Sequence, residues 1–458
     1  MELFSPIKSS VKKGYILFLE AMSFLLSARH QYALYLPIVF IVSIYIPIGI
    51  ELRSDFFILF GVFGLTVLGV LIKNKRLYID KTIGLIIVII LLHFLSTAIF
   101  FYSGESRNAY FTFGSITEIQ FWVRLILIII ICRNSHFTLD NFKKLFKHFY
   151  FVSVMIIVIG LLESLSLLPS FYDVMIDKLF ASSKYNLMRE GLLNAGVRRA
   201  TSLLGSPSIY AHFSLLIFWL TLKMPKTFIP SRIKFLILGI ILASGFASDS
   251  KIFYAGVIIV IFYEQLILKR NIAMLIGIVI FFWLLALVVL NADKALLPDF
   301  LYNIRSKIDL IRIHGFMNVF FSSRFDSKDG LLYDNLLMVK DNFFFGIGLL
   351  KINNLFFGDS FLITNLLKVG AVGLSVFLIL VRILYRRLNT VYKETKDDVL
   401  RNVVLVLRNF LLLNLLFSIG INSFALTRTS DLIFFLMFMT IYVHKESKNK
   451  EPQILAID

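Results

Sequence analysis

Four clusters of polar residues interrupt an otherwise apolar chain, and their side chains could bind an anion or move a proton. The first is Arg198-Arg-Ala-Thr-Ser-Leu-Leu-Gly-Ser-Pro-Ser-Ile-Tyr-Ala-His212. An arginine presents a planar fork of donors that matches phosphate oxygens. Pro207 opens an apolar run, and the N-terminus of a helix there would add donors and partial positive charge. Arg198 and Arg199 together would hold a diphosphate. The plain alternative is two solvated arginines before a proline-led helix. The second cluster, Ser248-Asp-Ser-Lys251, joins two apolar runs. Lys251 calls for an anionic partner, either Asp249 or a ligand such as the same diphosphate. The third comprises Arg305, Arg312, His314 and Arg324, within the longest interval lacking a membrane-length apolar run. His314 is the only histidine of that interval and could act as an imidazole base, or could be a surface residue. Its arginines could bind a sugar phosphate (Arg324 the diphosphate, Arg305 and Arg312 the glycan) or pair with Asp309 and Asp326. The fourth runs Asp359-Ser-Phe-Leu-Ile-Thr-Asn365 and on through Lys368-Val-Gly-Ala-Val-Gly-Leu374. Asp359 could take a proton from a hydroxyl, or cap the helix that follows, and the two roles are compatible.

These clusters need a scaffold, and composition names it. Of 458 residues, 58% are hydrophobic and 17% charged, with a mean hydropathy of +0.83. Apolar runs recur along the whole chain, so the expected fold is an all-α polytopic membrane protein. About 20 apolar residues make one span. Spans are expected at 34–50, 55–72, 83–102, 116–132, 149–168, 208–222, 232–247, 252–268, 272–290, 359–384, 399–419 and 424–443, about 12 transmembrane helices in all. Residues 14–27 read as an interfacial helix within a 1–33 N-terminal segment. Residues 34–290 form the main bundle, interrupted by loop 169–207. Residues 291–358 form a cap, 359–443 the C-terminal helices and 444–458 a tail. The cap carries eight Lys/Arg against seven Asp/Glu. Its periodicity still predicts helices: Ile304, Ile308 and Ile311 share one stripe, Arg305, Asp309 and Arg312 another. Leu331, Leu332, Leu336 and Val339 repeat the pattern.

The net charge of +18 follows from sidedness and requires no nucleic acid partner. Basic residues crowd alternate short loops: Lys73, Lys75, Arg76 and Lys81; Arg133, Lys143, Lys144 and Lys147; Lys223, Lys226, Arg232 and Lys234; Arg386, Arg387, Lys393 and Lys396. The positive-inside rule then places both termini in the cytoplasm and the two long loops outside. The N-terminus lacks a basic region followed by a cleavable apolar core, so the first span is expected to serve as an uncleaved signal. The single cysteine, Cys132, offers neither a disulfide nor a cysteine-rich metal site. No Walker A loop, dinucleotide fingerprint or HExxH occurs, which argues against an ATP-driven transporter or zinc protease. Metals and cofactors are not expected. Two further arginines fall inside spans. Arg124 could approach a lipid diphosphate or pair with Glu118, and Arg408 could snorkel toward the cytoplasmic side.

The order Arg199…Gly205-Ser-Pro207, Ser250-Lys251, a large external loop ending Asp341-Asn-Phe-Phe-Phe-Gly-Ile-Gly348, then Asp359 and Gly370-Ala-Val-Gly373 resembles the O-antigen polymerase and ligase superfamily. The resemblance covers residues 195–385. It implies a GT-C-like glycosyltransferase that works without nucleotide or metal in the bacterial inner membrane, its site facing the periplasm. Donor and acceptor would be undecaprenyl-diphosphate-linked glycans. The implied roles are base for Asp359 or His314, diphosphate binding for Arg198, Arg199, Lys251, Arg324 and Arg124, and glycan contact for Arg305, Arg312 and Tyr210. Asp359 stands where the ligase branch has a histidine, which favours an inverting polymerase of repeat units, with a chain-length regulator as an optional partner. Eleven residues after Arg199 stands Tyr210, where some polymerases have glycine. An O-antigen ligase is the alternative enzyme, and a lipid-linked oligosaccharide flippase the alternative of another class.

Overall fold

The computed structural model describes residues 30–47, 51–72, 76–103, 109–111, 115, 117–181, 199–268, 299–315, 332–352, 355, 360–420 and 423–450, with scattered positions of 273–291. Among these residues 81% are helical, in fourteen helices. The first nine are α1 (His30–Val42), α2 (Ser54–Ile72), α3 (Lys81–Tyr102), α4 (Gln120–Asn134), α5 (Leu139–Ser164), α6 (Ser170–Met175), α7 (Pro207–Lys223), α8 (Ser231–Ala247) and α9 (Lys251–Phe262). Then come α10 (Asp299–His314), α11 (Tyr333–Asp341), α12 (Phe361–Glu394), α13 (Asp398–Phe417) and α14 (Thr427–Lys450). Five of them, α2, α3, α5, α12 and α13, are long and apolar enough to cross a membrane. Helices fall within eleven of the expected span positions, at 34–50 over part of the stretch only, and the stretch 272–290 lies largely outside the described residues.

Short polar side chains set where these helices begin. Asp80 accepts from the Thr82 amide at 2.9 Å, Thr138 from Asn141 at 3.2 Å, Ser360 from Ile363 at 3.2 Å and Asp397 from Leu400 at 3.0 Å. Each satisfies an amide that has no partner within its own helix. The expected span at 34–50 is only partly helical: α1 ends at Val42, and Tyr45–Pro47 forms a strand paired antiparallel with Glu51–Arg53. Two further boundaries depart from the hydropathy reading. Helix α5 starts at Leu139 instead of 149, and α12 continues to Glu394 instead of 384. In both, a basic amphipathic extension carries the apolar helix out beyond its greasy part. α7 is buried on every side from Ile209 to Thr221, as a central helix must be. In the cap, α10 and α11 fall where periodicity predicted helices, and α11 packs on α12. Val339 is buried there, whereas Leu336 is exposed.

Polar contacts sort the helix termini into two ends. At one end Asp80 binds Arg387 at 2.8 Å and Tyr442 at 2.5 Å, Asn134 bonds the Tyr78 backbone at 3.0 Å, and Lys143 pairs with Asp397 at 2.5 Å. Burial raises the Asp80 pKa, but the bonds from Arg387, Tyr442 and the Thr82 amide lower it further, so its carboxyl is held well below the usual range. The opposite end gathers the loops that carry the candidate residues.

A break in α12 organises that opposite end. At Gly370 the backbone leaves helical geometry, with φ 62° and ψ −170°, and the segment 342–348 inserts there. Ile347 and Gly348 donate to the Leu367 and Lys368 carbonyls, each at 2.8 Å, while Ala371 and Val372 donate to Phe343 and Phe344 at 2.8 and 3.3 Å. In an unbroken helix those carbonyls would have accepted from residues 371 and 372. The inserted loop therefore gives partners to all four backbone groups of those two lost hydrogen bonds. Leu349 also donates its amide to Thr97 of α3 at 2.8 Å. Beneath the loop, Phe100, Val339, Ile347, Leu350 and Leu367 form a small apolar core.

This construction depends on glycine, at Gly348 and Gly370 among others. Gly348 and Gly370 both have positive φ, and a Cβ would land on Thr97 or on the Phe344 carbonyl respectively. Gly348→Val and Gly370→Val are each expected to cost about 1–3 kcal/mol. Thermal unfolding of detergent-purified protein checks this, with Gly61→Val as the control because nothing lies within 4 Å of its added Cβ. A Tm for Gly370→Val as high as that of Gly61→Val would contradict the account.

Candidate functional site

Arg199 enters the structure beside the end of α8, where Ala200 donates to the Ala247 carbonyl at 3.0 Å. The next residues are fixed by Glu163 in the last turn of α5. Its carboxylate accepts from the Thr201 amide at 2.9 Å, the Thr201 hydroxyl at 2.7 Å and the Ser202 amide at 2.6 Å. A short turn at Ser202–Leu204 follows, closed by left-handed Gly205, and Pro207 then opens α7. Three bonds to one buried carboxylate thus hold the arginine-bearing segment in place.

The guanidinium of Arg199 meets the carboxylate of Asp249 at 2.9 Å. Asp249 lies in the tight connection between α8 and α9, itself in the left-handed region at φ 52°. The Tyr254 hydroxyl donates to it at 3.2 Å. Lys251, half-buried and partnered, is the first residue of α9. Arg199 therefore pairs with a buried carboxylate that lies two residues before Lys251 in the chain. The Arg199 side chain is 29% exposed, although its Nε is buried, and Asp249 is enclosed. Such a site offers an exchangeable cationic fork held over a fixed counter-charge.

A few ångströms of chain farther on, Arg428 donates to the Leu203 carbonyl and, at 2.8 Å, to Phe180. One turn along α14, Asp431 belongs to a buried ionic clasp with Arg53, Asp55 and Arg124. Arg124 binds Asp55 at 2.5 Å and also Asp431. Its partner is not Glu118, as the sequence allowed, and its side chain is 3% exposed. Arg124 ties α2, α4 and α14 together and has no face open to a lipid headgroup. Glu118 pairs instead with Lys368 at 3.2 Å. The segment after Arg199 is thus held by Glu163 from α5 and by Arg428 from α14, and α14 also carries Asp431 of the clasp.

Other sequence candidates fall elsewhere. Tyr210 is fully buried, its hydroxyl bonded to the Ile157 carbonyl at 3.0 Å and to Ser244. It packs α7 against α5 and α8, which corrects the expectation of a glycan contact. Arg312 and His314 are exposed in the last turn of α10, and Arg305 is half-buried with a partner. Arg408 lies over the Tyr385 and Tyr392 rings and bonds Asn389 at 2.8 Å. Arg198, Arg324 and Asp359 lie outside the described residues. Among the described residues, no group of three or more His, Cys, Asp or Glu side chains is placed to hold a metal.

Sequence reasoning passed over Asp55 and Asp431 and gave Lys368 of the fourth cluster no role, although each is a charge inside an apolar stretch. That signal alone marks a residue which must have a partner. Compared with known proteins, the chain matches no protein-family model, and no curated protein matches it. Its function must be argued from the residues.

The clasp leaves no partner to spare, so removing one charge strands another in a buried setting. Asp431→Asn is expected to destabilise the protein by about 3–5 kcal/mol. Asp431→Asn and Arg124→Met combined should cost less than the sum of the two single changes. Unfolding midpoints of the four proteins in the cycle check this, and strict additivity would refute the coupling.

Proposed function

We propose that the protein is a membrane glycosyltransferase that joins lipid-diphosphate-linked oligosaccharide repeat units into a surface polysaccharide. The reading is supported chiefly by the Arg199–Asp249 pair, a partly exposed guanidinium held at one end of an apolar bundle, with Lys251 two residues beyond Asp249 in the chain. The diphosphate of the donor displaces Asp249 from part of the guanidinium, with Lys251 beside it. Fixed cations at that place stabilise the charge that develops as the diphosphate leaves. The acceptor hydroxyl attacks the anomeric carbon from the opposite face and inverts it, and its proton passes to Asp359 or His314. Arg198 and Arg324 are further diphosphate ligands in this scheme, and Arg305 and Arg312 contact the glycan. The charge bias of the loops orients this end toward the periplasm, with both termini cytoplasmic. Undecaprenyl diphosphate is the lipid implied by the superfamily that the sequence resembles, and the inner membrane of a bacterium the implied location.

One observation favours a second reading. A spanning helix broken beside a buried ion pair is also how transporters build substrate and ion sites, and the break in α12 beside Lys368 and Glu118 has that form. A lipid-linked oligosaccharide transporter would use the same end of the bundle.

Reconstitution separates the two. With lipid-linked repeat units supplied directly, the polymerase reading expects products of more than one unit from the wild type. It expects a loss of about a hundredfold or more for Arg199→Ala. Arg199→Lys should retain part of the rate, because it keeps the charge and loses the fork. Full activity in Arg199→Ala would remove the diphosphate role. Movement of the lipid-linked unit between leaflets without polymer would establish the transporter.

A further inference from the structure

Two histidines lie deep in the helix bundle and are treated differently. His212 on α7 is fully buried, and both its ring nitrogens are engaged, Nδ1 with Thr429 at 2.9 Å and Nε2 with Asn414 at 2.5 Å. His93 on α3 is 4% exposed, and neither ring nitrogen has a partner. One turn along the same face, the Ser96 hydroxyl is also buried without a partner. An unmet polar group in an apolar interior is costly, so one ring with two of them points to an occupant or an alternative arrangement.

The neighbouring helix supplies that arrangement. α3 packs along α12, and Thr97, one turn on from His93 and bonded to its carbonyl, accepts from Leu349, the residue before the Leu350 carbonyl that Lys368 binds. Lys368 is 2% exposed, donates to the Leu350 carbonyl at 2.7 Å and pairs with Glu118 at 3.2 Å. One turn earlier on the same half-helix, the buried Thr364 hydroxyl has no partner either. Glu118 is the outermost member, with a quarter of its side chain exposed. Lys351 is the other charge acting on Glu118 and Lys368. Arg124, on the helix that follows Glu118, is engaged with Asp55 and Asp431. An ionisable line of this kind, running inward from a partly exposed carboxylate, is a site for proton exchange.

We infer that Glu118, Lys368 and His93 form a proton-binding site, in which the Lys368 ammonium moves from Glu118 to His93 when Glu118 takes a proton. The proton comes from water at the exposed edge of Glu118, and an O–H bond forms on its carboxylate. The ion pair then opens. The ammonium keeps its three protons and donates one hydrogen bond to the free lone pair of neutral His93. The net charge of the trio rises by one. Because the Lys368 carbonyl accepts from Gly348, the lysine that moves is also one that anchors the loop in the helix break. The site goes beyond the glycosyl-transfer reading and does not depend on it.

Infrared difference spectra of the purified, bilayer-reconstituted protein across a pH titration test this directly. A carboxylic acid C=O band should appear on acidification of the wild type and be missing in Glu118→Gln. His93→Phe removes the alternative acceptor, which leaves Lys368 on Glu118 and should lower the band's midpoint by about one pH unit. His93→Gln, which supplies an acceptor oxygen, should keep the wild-type midpoint. Lys368→Gln removes the cation and should raise the midpoint, which keeps the inference testable if His93→Phe does not fold. A band that survives in Glu118→Gln, or midpoints unmoved by both His93→Phe and Lys368→Gln, would overturn it.

Discussion

In an apolar interior, every charge and every backbone amide must find its partner within the protein. Much of this structure follows from that constraint. The Arg53–Asp55–Arg124–Asp431 clasp joins three helices that have little else to fix their rotation, because apolar faces slide past one another at small cost. The break in α12 obeys the same rule through the backbone. Four groups released at Gly370 are recovered by a loop whose own carbonyls and amides match them one for one. Helix ends, loop and clasp are therefore one connected system at a single end of the bundle.

That connectivity gives the candidate site its rigidity. Glu163 holds the segment after Arg199 through three hydrogen bonds, and Arg428 fixes Leu203 from the far side. An arginine on such a support keeps its place when a ligand arrives, and a preorganised cation is what a leaving diphosphate needs. The surface end of Arg199 can exchange its partner, whereas the carboxylate below it stays fixed.

Much of the helical architecture was legible in the sequence, since apolar runs and their caps are local features. The motif ending in Gly348 and the pair Gly370 and Gly373 stood out as strings of glycine, but nothing in the strings said that they interlock. The clasp was illegible for a similar reason. Arg124 and Asp431 are 307 residues apart, so the neighbour at Glu118 looked the better partner. Helix boundaries were misplaced where lysines and arginines extend α5 and α12, because hydropathy registers only the apolar part of a helix. Tyr210 read as a ligand contact from its place in a motif, and only packing reveals that its hydroxyl is engaged. Arg199, Asp249 and Lys251 were visible as residues, and the fold adds that Asp249 pairs with Arg199 across the two clusters.

The most direct test of the central claim is binding of undecaprenyl diphosphate to the purified protein in nanodiscs, wild type against Arg199→Ala. Saturable binding by the wild type, competed by inorganic pyrophosphate and weakened about tenfold or more in the variant, is the predicted result. Equal binding by the two proteins, or none by either, would contradict a cationic diphosphate site at this end of the bundle.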